Sequence, residues 1–270
     1  MSKISRLNQL PERDKFEYYS LLIPPGLFRR FQIDPATWLN PAGERCVSVE
    51  APAGGAEASL GVVSSLNDRD PAFYTEVSDT SDLVQMSWDF VVINDPDAPS
   101  FNTDLTPDGG DRWLNWRMRN QTEELMALSS GLAPGQVRVG MRLTHEFNHC
   151  LDRFCEAVGF HSITLEALYY HNALGYERHG FRYFSGEPTM RLIDEGFQPR
   201  GALWKLMDDY SHFRKPKFAE TVRGRSWAIH DGILEQPRAM AAGYDSWSPP
   251  RMYRMAGSRS NVNTAPGLAY

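Results

Sequence analysis

The N-terminal part of the chain carries the hydrophobic patterns of β-strands. Polar and apolar residues alternate in RCVSVEAP at 45–52, and SLGVVSSL at 59–66 has β-branched residues at its centre. AGGA at 53–56 is typical of a turn, so these two segments are predicted to pair as a hairpin. WDFVVIND at 88–95 is a nearly continuous apolar run, which predicts a strand buried on both faces.

Further along the chain, helical patterns alternate with short segments that resemble strands. A long loop is predicted at 95–111 from its content of Pro, Gly, Asn and Asp. Helices are predicted at 113–131, 141–158 and 172–180, each ending at or next to a glycine, because glycine readily adopts the left-handed conformation that closes a helix. The remaining predicted elements are strands at 162–168, 181–186 and 189–193, a helix at 203–210, and a strand with a turn at 225–234.

Strands that alternate with helices place the chain in the α/β or α+β class. Its 270 residues suit one large domain with a substantial core. We expect the body of this domain to cover 1–234, with a long insertion at about 96–135. Periodicity is lost from about Glu235, and the Pro, Ser, Gly and Asn content there predicts an extended, irregular C-terminal tail over 235–270.

Composition and charge argue against several kinds of protein and partner. Aromatic residues make up 12% of the chain, which argues against disorder over most of its length. The formal net charge of −6 gives no overall attraction to a phosphate backbone, so no nucleic acid partner is expected. The N-terminus lacks the apolar core of a secretory signal, and no apolar run is long enough to span a membrane. Three cysteines without a CxxC pair indicate free thiols in a reducing cytoplasm, so a cytoplasmic protein is expected.

The sharpest short motif is an HExxH formed by His145, Glu146 and His149. On a helix, residues at i and i+4 share one face, so the two imidazoles are spaced to coordinate one zinc ion. The intervening Glu146 could then act as general base for a zinc-bound water. This pattern predicts a zinc-dependent hydrolase as one interpretation of the chain.

The remainder of the same helix favours a simpler interpretation of these histidines. The apolar stripe of the helix is formed by Leu143, Phe147, Cys150, Leu151, Phe154 and Val158. His145 and His149 fall on the opposite side with Asp152 and Glu156, as expected of a solvated polar face. The candidates for a third ligand, none at a spacing diagnostic of zinc hydrolases, are His161, Glu166, His171, Glu177 and His179.

Residues 136–183 carry a broader resemblance. They read QVRVGMRL, the amphipathic helix, GFHSITLEAL and HNALGYERHGF. This order resembles the acetyl-CoA-binding half of the GNAT family of N-acyltransferases, which has a Q/R-x-x-G-x-G/A loop before a helix and a later Y-x-x-x-G-F signature. Residues 176–181 match the second signature well, and residues 138–142 match the loop in part. The resemblance implies a GNAT-like α/β fold, with a mixed, mainly antiparallel central sheet and helices on both faces.

The resemblance also implies roles for individual residues. Tyr176 would be the general acid that protonates the departing CoA thiolate, and Asn172 would touch the pantetheine arm. The family pattern marks no general base, so Glu166 at the end of a predicted strand is the first choice and Asp89 the second. The residues that would bind the cofactor through the loop are Gln136, Arg138, Val139, Gly140 and Arg142.

Backbone N–H groups at a helix N-terminus bind pyrophosphate well, and Arg138 and Arg142 would add charge-assisted contacts. Three features depart from the family pattern, one of which is that Asn172 and Tyr176 are closer together than that pattern expects. Arg142 occupies the second small position of the loop, and about forty residues separate WDFVVIND from Gly140, whereas the family's loop directly follows its central strand.

The function that the resemblance implies is an acyl-CoA-dependent N-acyltransferase acting on a small amine or amino-acid-like substrate. Its cofactor would be acetyl-CoA or another acyl-CoA. Two alternatives stay open, the zinc-dependent hydrolase and a catalytically inactive GNAT-like binding module, the latter favoured by the bulk of Arg142. The aromatic excess either lines a pocket or covers a homodimer interface.

Overall fold

The computed structural model describes residues 3–82, 84–110 and 118–270, and these form an α/β structure with one seven-stranded, mostly antiparallel sheet. The strand order is β1-β2-β3-β4-β5-β7-β6. The strands are β1 Val47–Glu50, β2 Glu57–Val62, β3 Phe73–Asp79, β4 Met86–Ile93, β5 Ser162–Glu166, β6 Arg182–Tyr183 and β7 Arg251–Met255. The predicted α/β class and the mainly antiparallel sheet are confirmed.

Helices fill the intervals before, between and after the strands. The α-helices are α1 Lys3–Leu7, α2 Glu12–Tyr19, α3 Pro25–Phe31, α4 Gln121–Ser129, α5 Thr144–Val158, α6 Tyr170–Arg178, α7 Glu187–Phe197, α8 Val222–His230 and α9 Pro237–Ala241. Short 3-10 helices occupy Ser20–Leu22, Trp204–Leu206 and Pro216–Glu220. None of the helices in the described ranges combines the length and the apolar character required to cross a bilayer.

The predicted hairpin is confirmed, since β1 and β2 pair antiparallel with Val47 opposite Val62 and Glu50 opposite Ser59. The meander continues through β3, which the sequence analysis did not predict, to β4. Buried residues alternate along β3, as expected of a strand with one face on a core. Phe73 of this strand packs edge-on against Phe147 of α5, which joins the meander to that helix.

Strand β4 contains a bulge in its pairing with β3. Its pairing with β3 places Glu76 opposite Phe90 and Val77 opposite Trp88, so Asp89 is an extra residue in the register of these two described strands. Such a bulge bends the strand and takes a backbone group out of the ladder. The prediction that this strand is buried on both faces is wrong, because Asp89 and Phe90 are exposed beside the bulge.

The next pairing is parallel and short. Strands β4 and β5 both lie in the described part of the chain, and their ladder joins two residue pairs, Met86 with Ile163 and Ser87 with Thr164. The strand β7 lies on the other side of β5, where Ala256 N–H donates to the His161 carbonyl and Ala167 N–H donates to the Pro250 carbonyl.

The helix predicted at 141–158 is confirmed as α5. Its buried face includes Phe147, Leu151 and Phe154, as the apolar stripe predicted, and Gly159 ends it with a left-handed φ of 84°. The cysteines on this face are free and buried, and burial raises the pKa of Cys150 to about 11. The predicted helices at 172–180 and 113–131 correspond to α6 and α4, although positions 113–117 lie outside the described residues and 118–120 are not helical.

Several predictions for the C-terminal part are wrong. Residues 189–193 lie in α7 rather than in a strand, and most of 225–234 lies in α8. The predicted helix at 203–210 is reduced to a 3-10 turn at Trp204–Leu206. The interval 235–270 is not irregular throughout, because it contains α9 and β7. An arginine at a buried position, Arg254, conceals the alternation of β7 in the sequence.

Two compact units divide the described residues. Unit 1 comprises Met1–Ala98, Gly140–Leu165 and Tyr253–Arg259, and unit 2 comprises Pro99–Val139, Glu166–Met252 and Ser260–Tyr270. Aromatic rings of Trp88, Phe73 and Phe147 meet in the core of unit 1. In unit 2, Trp227 stacks on Phe213 in a cluster of buried apolar residues.

Candidate functional site

The loop before α5 lies directly against the end of β4. A Cβ atom added to Gly140 would stand 2.9 Å from the carbonyl oxygen of Ile93, so a glycine is required for this close approach. Both residues belong to unit 1. The long separation in sequence is therefore closed in space, and Gly140 lies beside the end of β4.

Arg142 gives this loop an unusual backbone conformation. Its φ is 60°, in the left-handed region that costs a non-glycine residue about 1 kcal/mol or more, and the residue is exposed. Helix α5 begins two residues later, at Thr144. The first N–H groups of any helix have no intrahelical acceptor, so this turn presents donors where an anion can bind.

Helix α3 fixes both sides of this loop. The Gly26 N–H donates to Glu146 Oε1 at 3.0 Å, and Arg29 also reaches that oxygen at 3.3 Å. On the β4 side, Arg30 contacts Asp95 at 2.6 Å and Asp97 at 2.9 Å. These acidic residues are therefore partners of an arginine, and the end of β4 and the start of α5 are tied to one short helix.

The HExxH motif has its histidines on the exposed side of α5, as the polar face predicted. His145 and His149 contact each other, with 3.3 Å between their Nε2 atoms. Glu146 faces α3 and accepts the hydrogen bonds from Gly26 and Arg29. Across the described ranges, no group of three or more His, Cys, Asp or Glu side chains converges to hold a metal ion.

Asp152 corrects the expectation of a uniformly solvated polar face. Its carboxylate binds the buried guanidinium of Arg254 at 2.6 Å and that of Arg259 at 2.7 Å, and accepts the Gly257 N–H at 3.0 Å. Burial alone would raise the pKa of Asp152, but these three donors outweigh it and hold the pKa below its usual range. This side chain is half-buried and paired, and it stabilises unit 1.

Both candidate general bases are exposed carboxylates. Asp89 lies at the bulge of β4 in unit 1, where the Ser87 hydroxyl donates to its Oδ1 at 2.5 Å. Glu166 is the last residue of β5 and belongs to unit 2. Exposure leaves each carboxylate accessible from solvent, and the bulge directs the backbone around Asp89 out of the ladder.

The predicted loop residues before Gly140 belong to unit 2. Gln136 uses its Oε1 to accept the Ala133 N–H at 2.7 Å, which closes a turn. Arg138 is half-buried, and Val139 is exposed. Of the predicted cofactor-binding loop, Gly140 and Arg142 are thus the members that share unit 1 with α5.

Helix α6 carries the two remaining predicted residues. The Asn172 side chain accepts the Tyr169 N–H at 3.2 Å and caps the helix, while its amide nitrogen lies 3.3 Å from His171 Nε2. Tyr176 lies one turn further along and packs against Phe181. Burial, followed by the nearby Tyr270, raises the pKa of Tyr176, so its hydroxyl stays protonated at neutral pH. Asn172 therefore stabilises the start of α6, whereas the hydroxyl of Tyr176 carries a proton at neutral pH.

Unit 2 also contains polar contacts that sequence reasoning missed. His171 Nδ1 lies 2.9 Å from the buried hydroxyl of Ser226, and burial lowers the pKa of His171 to about 3, so the ring is neutral at pH 7. Tyr169 stacks beside this imidazole. The partners stand 55 positions apart, so no motif could have revealed them.

A second buried cluster surrounds Glu124. His230 Nε2 lies 3.0 Å from one carboxylate oxygen of Glu124, and Arg119 binds the other at 2.5 Å. Arg119 also reaches Asp231 at 3.1 Å, which in turn pairs with Arg214 at 2.9 Å. His230 and Asp231 are adjacent in the sequence, but their partners Glu124 and Arg119 lie 106 and 112 positions away, so no local motif reveals the network.

Comparison with known proteins gives no family for the chain. No family model, curated protein or solved structure matches it. The geometry of unit 1 around Gly140 is therefore the basis for a proposal of function.

Proposed function

We propose that this chain is an acyl-CoA-dependent N-acyltransferase with a GNAT-like fold, acting on a small amine or amino-acid-like substrate. The observation that supports it best is the parallel β4/β5 ladder, which ends after Ser87 and Thr164. Backbone groups of both strands beyond that point are out of this ladder. An extended arm with amide groups, such as pantetheine, can occupy a gap of this kind as an added strand would.

The loop at Gly140 provides the second support. Its glycine allows the backbone to approach the end of β4, and α5 begins directly afterwards. Helix N-terminal donors together with the exposed Arg142 suit a pyrophosphate group. Helix α3 holds this region in place through Glu146 and Asp95, so the anion site is organised before a ligand binds.

The chemistry assigns separate tasks to the residues. Acyl-CoA supplies an acyl group activated as a thioester. Asp89 or Glu166 accepts the proton that the amine loses, and both are exposed to an incoming substrate. The bulge at Asp89 interrupts the β3/β4 register, and a backbone N–H there could polarise the thioester carbonyl. Tyr176, which the resemblance assigns as general acid, donates a proton to the departing sulfur, since a tyrosine hydroxyl is protonated at neutral pH.

Calorimetric titration with acetyl-CoA tests this proposal. We expect saturable binding to the unaltered chain and a loss of affinity of about tenfold or more in Gly140→Ala, because the added Cβ pushes the loop away from Ile93. Gly175→Ala on α6 is the matched control, since a Cβ there meets no described atom within 4 Å and leaves binding unchanged. Absence of saturable binding by the unaltered chain would overturn the proposal.

A second variant separates chemistry from binding. Tyr176→Phe should retain the affinity for acetyl-CoA while lowering turnover of an amine substrate by about 10²–10⁴-fold, the usual contribution of a general acid. Circular dichroism checks that the variant is folded. Unchanged turnover would remove Tyr176 from the mechanism without affecting the binding site at Gly140.

A further inference from the structure

The paired histidines on α5 have a specific geometry. His145 and His149 lie one turn apart on the exposed side of the helix, with Nε2 atoms 3.3 Å apart. The ring centroids are 4.7 Å apart and the ring planes stand at 87°. The helix is 15 residues long and packed along its opposite face, so the spacing of the two side chains is held by a rigid element.

The distance between the two Nε2 atoms agrees with the distance between two ligand atoms of a tetrahedral metal ion. Zinc binds imidazole nitrogen at about 2.0–2.1 Å, and two such ligands at a tetrahedral angle stand about 3.3–3.4 Å apart. The nitrogen atoms of His145 and His149 are already at that distance. In the structure this separation is a contact between the two nitrogens, which a bound ion would replace.

We propose that His145 and His149 bind one divalent transition-metal ion of the zinc, nickel or copper class through their Nε2 atoms. Imidazole ligands favour these ions over magnesium and calcium, which prefer oxygen. Since no cluster of three metal-ligating side chains forms among the described residues, water completes the coordination shell. This inference does not depend on the proposed acyltransferase function.

The surroundings distinguish this site from the catalytic centre of a zinc hydrolase. Glu146, which would serve as general base in such an enzyme, is held by the Gly26 N–H and by Arg29. The ion would instead lie just after the loop at Gly140 and Arg142, in the same unit. A cation at this end of the helix opposes the helix dipole, so we expect moderate affinity and ready removal by a chelator.

The test is a calorimetric titration of the chelator-treated chain with zinc chloride in a non-coordinating buffer. We expect one ion per chain, and a loss of affinity of about tenfold or more in both His145→Ala and His149→Ala. His161→Ala is the matched control, an exposed histidine of the same unit that should leave binding unchanged. Glu146→Gln should also leave it unchanged, because that carboxylate is not a ligand.

A spectroscopic measurement identifies the ligands directly. With one equivalent of Cu²⁺, electron paramagnetic resonance of the unaltered chain should show coupling to imidazole nitrogen that is lost in the double variant His145→Ala/His149→Ala. The proposal would be overturned if zinc binding were not saturable, or if His161→Ala lost as much affinity as the other two variants. A stoichiometry of half an ion per chain would also overturn it, because the ion would then bridge two copies. Equal affinity for magnesium would also contradict it.

Discussion

Helices α5 and α8 differ in the burial of their polar residues. In α5, a helix of 15 described residues, six are buried along one side, and His145 and His149 stand on the other. In α8, seven of nine described residues are buried, among them Arg225 and Ser226. A helix with an open face keeps side chains available for ligands, whereas an enclosed helix must satisfy every polar group internally.

The internal partners of α8 are specific. Arg225 pairs with Asp194 of α7 at 2.5 Å and donates through Nε to the Ala219 carbonyl at 2.6 Å. The indole N–H of Trp227 donates to the Leu132 carbonyl at 2.8 Å. These contacts stabilise unit 2, so the polar residues of α8 contribute to stability, whereas His145 and His149 of α5 lie on an exposed face.

The largest expected effect comes from breaking the buried pair of α8. Arg225→Met leaves the Asp194 carboxylate without its guanidinium in a largely buried position, and removing one partner of such a pair costs about 3–5 kcal/mol. Urea denaturation measures the change in free energy of unfolding. Arg153→Met on α5 is the control, since that residue is exposed and its loss should cost about 0.5 kcal/mol or less. Similar losses in the two variants would contradict the distinction between the helices.

A smaller effect concerns the packing of α8 against the preceding segment. A Cβ added to Gly224 would lie 2.4 Å from the Phe218 carbonyl oxygen, so Gly224→Ala forces a backbone shift that costs about 1–3 kcal/mol. The matched variant Gly175→Ala places its Cβ where no described atom lies within 4 Å. Because alanine favours helix over glycine, that variant should gain up to about 1 kcal/mol. A gain in both variants, measured by thermal denaturation, would show that α8 is loosely packed.

The smallest effect is a change in the slope of stability against pH. The folded-state pKa of Asp152 is below its value of about 3.9 in an unfolded chain, so its charged form contributes stability that is complete above about pH 4. This contribution is lost as pH falls through the lower folded-state pKa. In Asp152→Asn the free energy of unfolding should therefore decline less steeply between pH 4 and pH 2, as followed by urea denaturation at several pH values. An acid limb identical to that of the unaltered chain would contradict this role of Asp152.

The elements that the sequence predicted correctly are those whose burial follows a simple period. Helix α5 has one apolar stripe and ends at Gly159, and the β1–β2 hairpin has alternating strands around a glycine turn. Local physics alone specifies such elements, since one face meets the core and the other does not.

The wrong predictions have a common cause in tertiary burial. Helix α8 is enclosed, so RSWAIH shows no amphipathic period, and its aromatic and β-branched residues resemble a strand. Strand β7 buries Arg254 opposite Asp152 of α5, a partner 102 positions away. No local rule places an arginine inside a sheet, because its burial depends on a carboxylate supplied by another element.

The candidate site was predictable in its residue types but not in its contacts. The motif at His145 and His149 was visible in the sequence, whereas the binding of Glu146 to Gly26 joins residues 120 positions apart. The bulge at Asp89 leaves no sequence signature either. Asn172 was assigned to a ligand by resemblance, and the structure uses its side chain to cap α6.

The pairing of Asp152 with Arg254 also bears on the order in which the chain acquires its structure during synthesis. Since 102 positions separate the two residues, a ribosome adding about 5–20 residues per second completes the second about 5–20 s after the first. Throughout that interval α5 has been translated, but β7, whose Arg254 pairs with the Asp152 carboxylate, has not. Unit 1 thus cannot close as a nascent chain until nearly all of unit 2 has been translated.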